Sequence, residues 1–313
     1  MTPERRNSLD FVAIAAMVVI CLTWGGQQVA IKLANEGVPP IFQAALRSCG
    51  ALILVGAWSV LRGDRIFARD GTLIYGIVIG TLFSAEFILL YVGLTYTSAS
   101  RSVVFQYASP FFVAIAAHVL IPGERIRPTS AVGLACAFMG LGIVFSEAFR
   151  LPDSDELVGD VMVLGSAALW AAVTIIIKVS PLARISAGRT LFYQLSLSSV
   201  ILFAVSYWVE DRESMNFHAL VVGALLYQVV VVAFLSYLAW FWMVTVYPAG
   251  RLSAFSFLTP LFGMLLASVI LGEEITAALG FGGLLVAVGV YLVNREPRGL
   301  DRPARVRLGR RSS

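Results

Sequence analysis

Apolar residues fall into ten long runs along this chain, and short polar links separate the runs. The runs lie near residues 11–31, 40–61, 71–94, 100–121, 128–147, 159–180, 187–208, 219–242, 249–271 and 276–294. A helix needs about 20 apolar residues to cross a bilayer. The first run is longer than the core of a signal peptide, which has about 7–15 residues, so we read it as a retained span. The pattern predicts an all-α integral membrane protein with ten transmembrane helices.

Composition supports lipid as the main solvent. The chain has 313 residues, of which 58% are hydrophobic and 13% are charged, whereas soluble domains carry about 25% charge. The net charge of +4 comes from loops and the last nineteen residues, so we expect no nucleic-acid partner. The cysteines at 21, 49 and 136 form no CxxC pair and only two histidines occur. We therefore expect neither a metal site nor a disulfide framework.

One stretch of the chain occurs twice, 150 residues apart. The first copy contains Arg101, Phe105, Pro110, Phe112 and Glu124, and the second contains Arg251, Phe255, Pro260, Phe262 and Glu274. Each copy is an apolar run with one proline in its middle. Repeated halves in a hydrophobic chain are typical of a transporter whose site lies between the halves. We assign residues 11–148 to a first repeat of five helices and 149–294 to a second, flanked by segments 1–10 and 295–313.

Five is an odd number, so the second repeat must enter the membrane from the opposite side, and we predict an inverted repeat. Trp24 and Lys32 recur as Trp170 and Lys178, both 146 residues later. With both termini cytoplasmic, most Arg and Lys residues lie inside, as the positive-inside rule requires. The central outside loop near residues 150–160 is acidic. The arginine-rich tail is expected to be a disordered anchor to anionic headgroups.

These features resemble the drug/metabolite transporter superfamily. The features that carry the likeness are a Trp in the first helix of each half and the Arg-x8-Pro-x13-Glu pattern in the fourth. The likeness covers about residues 11–294, in two EamA-type halves, and is greatest to the bacterial YddG-type exporters of aromatic amino acids. It implies a central cavity between the halves, export by alternating access, and a place in the bacterial inner membrane.

Several polar and aromatic side chains inside the runs are candidates to line such a cavity. Amides and a cation can bind the carboxylate of a zwitterion, and aromatic faces can stack on its ring or its ammonium. The alternative is that the amides and tyrosines only bond helix to helix. The candidates are Trp24, Gln27, Gln28, Gln43, Arg47, Trp170, Tyr193, Gln194, Tyr227 and Gln228.

Glu86 lies inside the third run, where a carboxyl group costs about 2.5–3.5 kcal/mol by insertion scales. Three roles remain open for it: proton carrier, ligand for a substrate ammonium, or structural partner of Arg47. An interfacial position near the helix end is a fourth interpretation. His118 lies near the inside end of its run and is read as an interfacial histidine, with a proton relay as the alternative.

Pro110 and Pro260 each remove an internal helix hydrogen bond, so they are candidate hinges, or static kinks that shape the cavity. The sequence has no Walker lysine motif, no GxSxG and no His/Cys/Asp cluster, so we expect neither an enzyme nor a cofactor. The expected partners are a small-molecule substrate and the lipid bilayer, with the chain as a monomer. The competing functions are a passive channel, a lipid-modifying membrane enzyme and a phosphosugar or nucleotide-sugar carrier.

Overall fold

Ten helices form the described part of the chain in this computed structural model. The structure describes residues 6, 8–146, 151, 153–211, 215–272 and 277–295. The helices are α1 (Phe11–Ala34), α2 (Pro40–Leu61), α3 (Thr72–Leu94), α4 (Ala99–Leu120), α5 (Pro128–Val144), α6 (Ser154–Val179), α7 (Ala187–Val209), α8 (Ala219–Val246), α9 (Ala249–Ile270) and α10 (Ala277–Asn294). The ten predicted helices are confirmed. Of the flanking segments, 295–313 falls outside the described residues except for Arg295, and 1–10 falls outside them in part.

Nine of the described helices have at least 18 residues, and only α5 is shorter, which suits a bundle that crosses a bilayer. One predicted boundary was wrong. The acidic stretch before residue 160 is not a loop, because α6 begins at Ser154. Asp153 and Glu156 form a capping box that satisfies the first backbone N–H groups of α6. The acidic residues therefore lie on the first turns of a helix.

The links between helices gather at two opposite ends of the bundle. We call the end with residues 62–71, 121–127, 180–186 and 247–248 the basic face, because most of the described cations lie there. The end with residues 35–39, 95–98, 210–211 and 215–216, together with the first turns of α6 at residues 153–160, is the acidic face. Backbone hydrogen bonds join distant links at each end, from Arg6 to Val246 on the basic face and from Asn216 to Gly37 on the acidic face.

Buried ion pairs also hold each face. On the acidic face, Arg101 of α4 pairs with Asp160 of α6, whose Oδ1 also accepts from Thr97 Oγ1 at 2.7 Å. On the basic face, Arg189 Nη1 lies 2.6 Å from Asp70 Oδ2. Hydrogen bonds from the Arg189 side chain hold the pKa of Asp70 well below its usual range. The pair therefore persists in moderately acidic solution.

Three helices depart from regular α geometry near the middle of the bundle. Helix α4 is interrupted at residues 107–108, just before Pro110. Helix α9 passes through a 3₁₀ turn at Phe255–Phe257, just before Pro260. The two interruptions occupy equivalent positions in the 150-residue repeat. Helix α8 contains a π-helical segment, Tyr227–Ser236, which no pattern in the sequence indicated.

Close backbone packing joins α1 to α9. A Cβ atom at Gly25 would lie 2.7 Å from the backbone nitrogen of Gly263 in α9, so no larger residue fits without moving one of the helices. Gly25 follows Trp24 directly. The contact therefore fixes the depth of Trp24 in the bundle.

Candidate functional site

Four aromatic side chains from three helices meet at the middle of the bundle. The Trp24 ring centroid lies 5.8 Å from that of Trp170 and 5.5 Å from that of Trp240. Trp170 stacks on Trp240 with an interplanar angle of 22°. Tyr237 lies 6.1 Å from Trp24 and 6.3 Å from Trp170. We call these four residues the aromatic cluster. It contains both tryptophans that the repeat singled out, one from each half.

The π-helical segment of α8 fixes the orientation of Trp24. Trp24 Nε1 donates a hydrogen bond to Ser236 Oγ at 2.9 Å, and Ser236 Oγ donates to the Val232 carbonyl at 2.6 Å. Ser236 is the last residue of the π segment and directly precedes Tyr237. π-Helical turns are frequent at functional sites. Here the irregular turns hold the indole N–H and present Tyr237 and Trp240 to the two tryptophans.

A charged side chain adjoins the aromatic cluster. The Arg47 guanidinium carbon lies 4.3 Å from the centre of the Phe87 ring and 6.0 Å from that of Tyr237. Phe83 continues this aromatic wall, at 4.9 Å from Phe87 and 6.0 Å from Tyr237. An arginine over an aromatic face gains a cation–π attraction, which is larger when both groups are desolvated. The site therefore joins a π-rich surface to one cation.

Arg47 and Glu86 are both buried, with 1% and 4% of their surfaces exposed. They form no ion pair within 4 Å among the described residues. Nε and Nη2 of Arg47 and Oε2 of Glu86 have no hydrogen-bond partner there. The direct structural pairing of Glu86 with Arg47 is therefore absent from this structure, and the burial of Glu86 does not fit an interfacial position. Buried polar atoms normally have a hydrogen-bond partner, and a bound substrate is one group that can supply it.

Gln194 is another buried side chain whose polar atoms have no partner among the described residues. Neither its Oε1 nor its Nε2 makes a hydrogen bond among the described residues. Its backbone packs beside Gly80 of α3, six residues nearer the basic face than Glu86. The neighbouring Tyr193 has a structural contact instead, since its hydroxyl donates to the Ile66 carbonyl at 2.6 Å and accepts from Arg189 Nε at 2.7 Å.

The other amides contact protein. Gln228 Nε2 donates to Gln43 Oε1 at 2.9 Å, and Gln43 Nε2 donates to Asn35 Oδ1 at 2.8 Å. The Tyr227 hydroxyl donates to the Thr23 carbonyl at 2.9 Å. Gln27 is buried on α1. Gln43, Tyr227 and Gln228 therefore make the helix-to-helix contacts that the sequence left open as an alternative.

Two clefts open on opposite faces of the bundle. The basic-face cleft has a volume of about 630 Å³ and includes Lys178, which is about two helical turns from Trp170 along α6. The acidic-face cleft has a volume of about 200 Å³ and includes Gln28, about one turn from Trp24 along α1. Pro260 also lines the second cleft.

His118 lies exposed at the basic face, and its Nδ1 accepts a hydrogen bond from the backbone N–H of Ile126. This position fits an interfacial residue.

The sequence analysis did not identify two of the four residues of the aromatic cluster, nor the residues that contact the cluster. The residues missed are Phe83, Phe87, Ser236, Tyr237 and Trp240. Tyr237 and Trp240 are three apart, so they share a helical face, and this spacing was the available signal. It had little weight because aromatic residues are frequent in every run of this chain.

Family comparison matches the chain twice. The model of the EamA-like transporter family matches residues 11–146 and 157–295, which is most of the chain. A solved crystal structure superposes with a TM-score of 0.78 over 90% of this chain and 96% of its own, at 17% identity. At that identity the likeness concerns the fold.

Curated relatives cover nearly the full length. The chain is 26% identical to the uncharacterized transporter YvbV of Bacillus subtilis (strain 168), over 95% of this chain and 94% of the relative. It is 25% identical to a protein of Escherichia coli (strain K12) described as a probable amino-acid metabolite efflux pump, over 89% of this chain and 93% of the relative. A Salmonella typhimurium protein with the same description is 26% identical, over 90% and 93%.

Proposed function

The chain belongs to the EamA-like transporter family of the drug/metabolite transporter superfamily, and on that basis we propose that it is a secondary exporter of amino acids with aromatic or other large neutral side chains. The observation that carries this substrate class is a pair of buried ionisable side chains beside the aromatic cluster, Arg47 and Glu86, which have polar atoms without a hydrogen-bond partner among the described residues. The relatives described as amino-acid metabolite efflux pumps support the same class.

A zwitterion matches the charges at this site. A carboxylate can accept from the free Nε and Nη2 of Arg47, and an ammonium can donate to the free Oε2 of Glu86. Each contact is charge-assisted and stronger than a neutral hydrogen bond. The fixed fork of an arginine suits a planar carboxylate. A phosphosugar would add a second negative charge, and Glu86 would oppose it.

The aromatic cluster suits the side chain of the substrate. Rings with centroids 5.5–6.3 Å apart already make edge-to-face and stacked contacts here. A substrate ring can join such a cluster at little conformational cost. A small polar side chain would leave this surface unfilled, so we expect selectivity for bulky neutral side chains.

Transport is proposed to proceed by alternating access of two inverted repeats. The clefts support this mechanism, because residues of one correspond to residues of the other. Ala114 and Ala117 of the basic-face cleft correspond to Met264 and Ala267 of the acidic-face cleft at an offset of 150. Lys178 corresponds to Lys32 at an offset of 146. Pro110 and Pro260, which follow the interruptions of α4 and α9, are the proposed hinges.

The basic face is proposed to lie in the cytoplasm of a bacterial inner membrane, as the positive-inside rule predicts. A reporter enzyme that works only in the cytoplasm should be active when it is fused after Ser313. A reporter inserted at Asp155 should respond as an external one. If both reporters read the same side, the inverted arrangement of the repeats is wrong.

Transport into proteoliposomes tests the substrate class, with L-phenylalanine, L-leucine and glycine compared at equal concentration. Trp24→Ala and Trp170→Ala should each lower phenylalanine uptake per folded molecule at least about 30-fold, since buried aromatic contacts at a binding site are worth about 2 kcal/mol or more. Trp208→Ala is the matched control, because Trp208 is 82% exposed at the end of α7. Equal uptake by all three variants would mean that the aromatic cluster is packing alone.

A further inference from the structure

Lys178 lies buried in the basic-face cleft and holds an ion pair that the transport site does not use. Its side chain is 2% exposed, and its Nζ lies 2.9 Å from Glu124 Oε1. The same Nζ donates to the Val244 carbonyl at 3.0 Å and to the Tyr247 carbonyl. Every proton of this ammonium thus has an acceptor, which is what a buried lysine requires.

The ion pair ties together segments from both halves of the chain. Lys178 ends α6, Glu124 belongs to the link between α4 and α5, and Val244 and Tyr247 border the link between α8 and α9. Glu124 Oε2 also accepts from the backbone nitrogen of Ala249 at 2.8 Å. As long as Glu124 holds both Lys178 and Ala249, the two links cannot separate at the basic face.

The cleft around this pair is suited to an anion. Arg125 and Arg127 line it and are exposed, and Glu124 is the only carboxylate among the described residues that line it. A cleft lined by one sign of charge concentrates ligands of the other sign. A buried ion pair is also weak evidence for a role in stability, because its desolvation penalty offsets much of the attraction.

We propose that the Lys178–Glu124 pair is a carboxylate-exchange gate at the basic face: the carboxylate of an incoming substrate replaces Glu124 on the Lys178 ammonium, and the freed link between α4 and α5 moves away from the link between α8 and α9. The exchange swaps one carboxylate for another, so the buried ammonium is never left uncompensated. The amino-acid identity of the substrate rests on the proposed function, whereas the gate itself does not.

A native thiol reports whether this gate is open. Cys21 is fully buried in α1, about one helical turn from Trp24 on the side of the basic face, and its Sγ lies 3.2 Å from the carbonyl of Phe255 in the 3₁₀ turn of α9. The experiment measures the rate of Cys21 alkylation by N-ethylmaleimide in the full chain in detergent, with Cys49 and Cys136 replaced by serine.

Glu124→Gln should raise this rate at least about fivefold, as couplings of this kind are typically 5–150-fold. Arg184→Gln, which changes an exposed cation of the basic face outside the cleft lining and outside the ion pair, should leave the rate unchanged. If Glu124→Gln does not fold, Glu124→Gln combined with Lys178→Met removes both charges together and should show the same fast alkylation. An unchanged rate in the folded single or double variant overturns the gate.

Ligands then test the exchange. In the parent protein, acetate should accelerate Cys21 alkylation relative to chloride at equal ionic strength, and L-phenylalanine should do so at lower concentration than L-phenylalaninamide. Glu124→Gln should abolish all these differences. Acceleration by acetate without any by phenylalanine would support the gate and contradict the proposed substrate class. If neither acid accelerates alkylation, or if the amide equals the acid, carboxylate exchange is overturned.

Discussion

Arg47→Met is expected to abolish measurable phenylalanine transport while leaving the folded protein at least as stable as the parent. Arg47 is buried, and its Nε and Nη2 have no partner among the described residues, so the resting protein gains from this charge only its cation–π contacts with Phe87 and Tyr237, rings on which a methionine also packs. Removing an unsatisfied buried charged group returns a desolvation penalty of about 1–3 kcal/mol. Arg47→Met also removes the proposed partner of the substrate carboxylate. Losing that contact costs about 2–5 kcal/mol of binding free energy, which weakens binding at least about 30-fold.

Asp160→Asn is the matched control for stability. Asp160 is as buried as Arg47, but it is paired with Arg101 and bonded to Thr97. Breaking a buried pair leaves the other charge uncompensated and costs about 3–5 kcal/mol. The apparent melting temperature in detergent should therefore fall for Asp160→Asn and hold or rise for Arg47→Met. Equal falls for the two variants would assign Arg47 to the fold.

A ligand without a carboxylate isolates the contact that Arg47 makes. Phenethylamine keeps the ring and the ammonium of phenylalanine. Its binding should change little in Arg47→Met, whereas the binding of phenylalanine collapses. If both ligands weaken equally, Arg47 organises the aromatic wall through Phe87 and Tyr237 and does not bind the substrate itself.

The number and order of the helices could be predicted from the sequence because lipid imposes one requirement on every span, a run of about 20 apolar residues. A predicted helix boundary was wrong where capping interactions extend a helix beyond its apolar run. The capping box of Asp153 and Glu156 extends α6 through Ser154 and Asp155 into a stretch that its charges marked as a loop. Asp160 accordingly proved to be a buried helical residue.

The site could be predicted only in part, because a buried polar residue reveals its need for a partner but not which partner it has. Gln43 and Arg47 are one turn apart on α2, yet Gln43 bonds to Gln228, whereas Nε and Nη2 of Arg47 have no hydrogen-bond partner among the described residues. The difference depends on which α8 side chain faces each residue: Gln228 faces Gln43, and Tyr237 faces Arg47. The π segment sets the direction in which Tyr237 and Trp240 leave α8. The hydrophobic periodicity of the sequence does not indicate it.

Glu86→Gln is expected to leave the folded yield unchanged and to lower transport at least about tenfold. The yield should hold because Glu86 has no ion-pair partner within 4 Å among the described residues, so no buried cation loses its compensation. Glu210→Gln is the matched control, since the Glu210 carboxylate accepts from the backbone of Ile41 and Phe42 at 2.6 and 2.8 Å and caps α2. That variant should lose stability and keep its transport per folded molecule.

Two fluxes measured on Glu86→Gln separate the remaining roles of this carboxyl group. As the ligand for the substrate ammonium, Glu86 is needed in every half-cycle, so pH-driven uptake and substrate exchange should fall together. A proton carrier would instead lose only the pH-driven flux, because exchange returns the substrate-loaded protein without a proton step. We expect the joint fall. The binding of 3-phenylpropionate, which keeps the carboxylate and lacks the ammonium, should then be unaffected by Glu86→Gln, and a selective loss of pH-driven flux would reassign Glu86 to proton coupling.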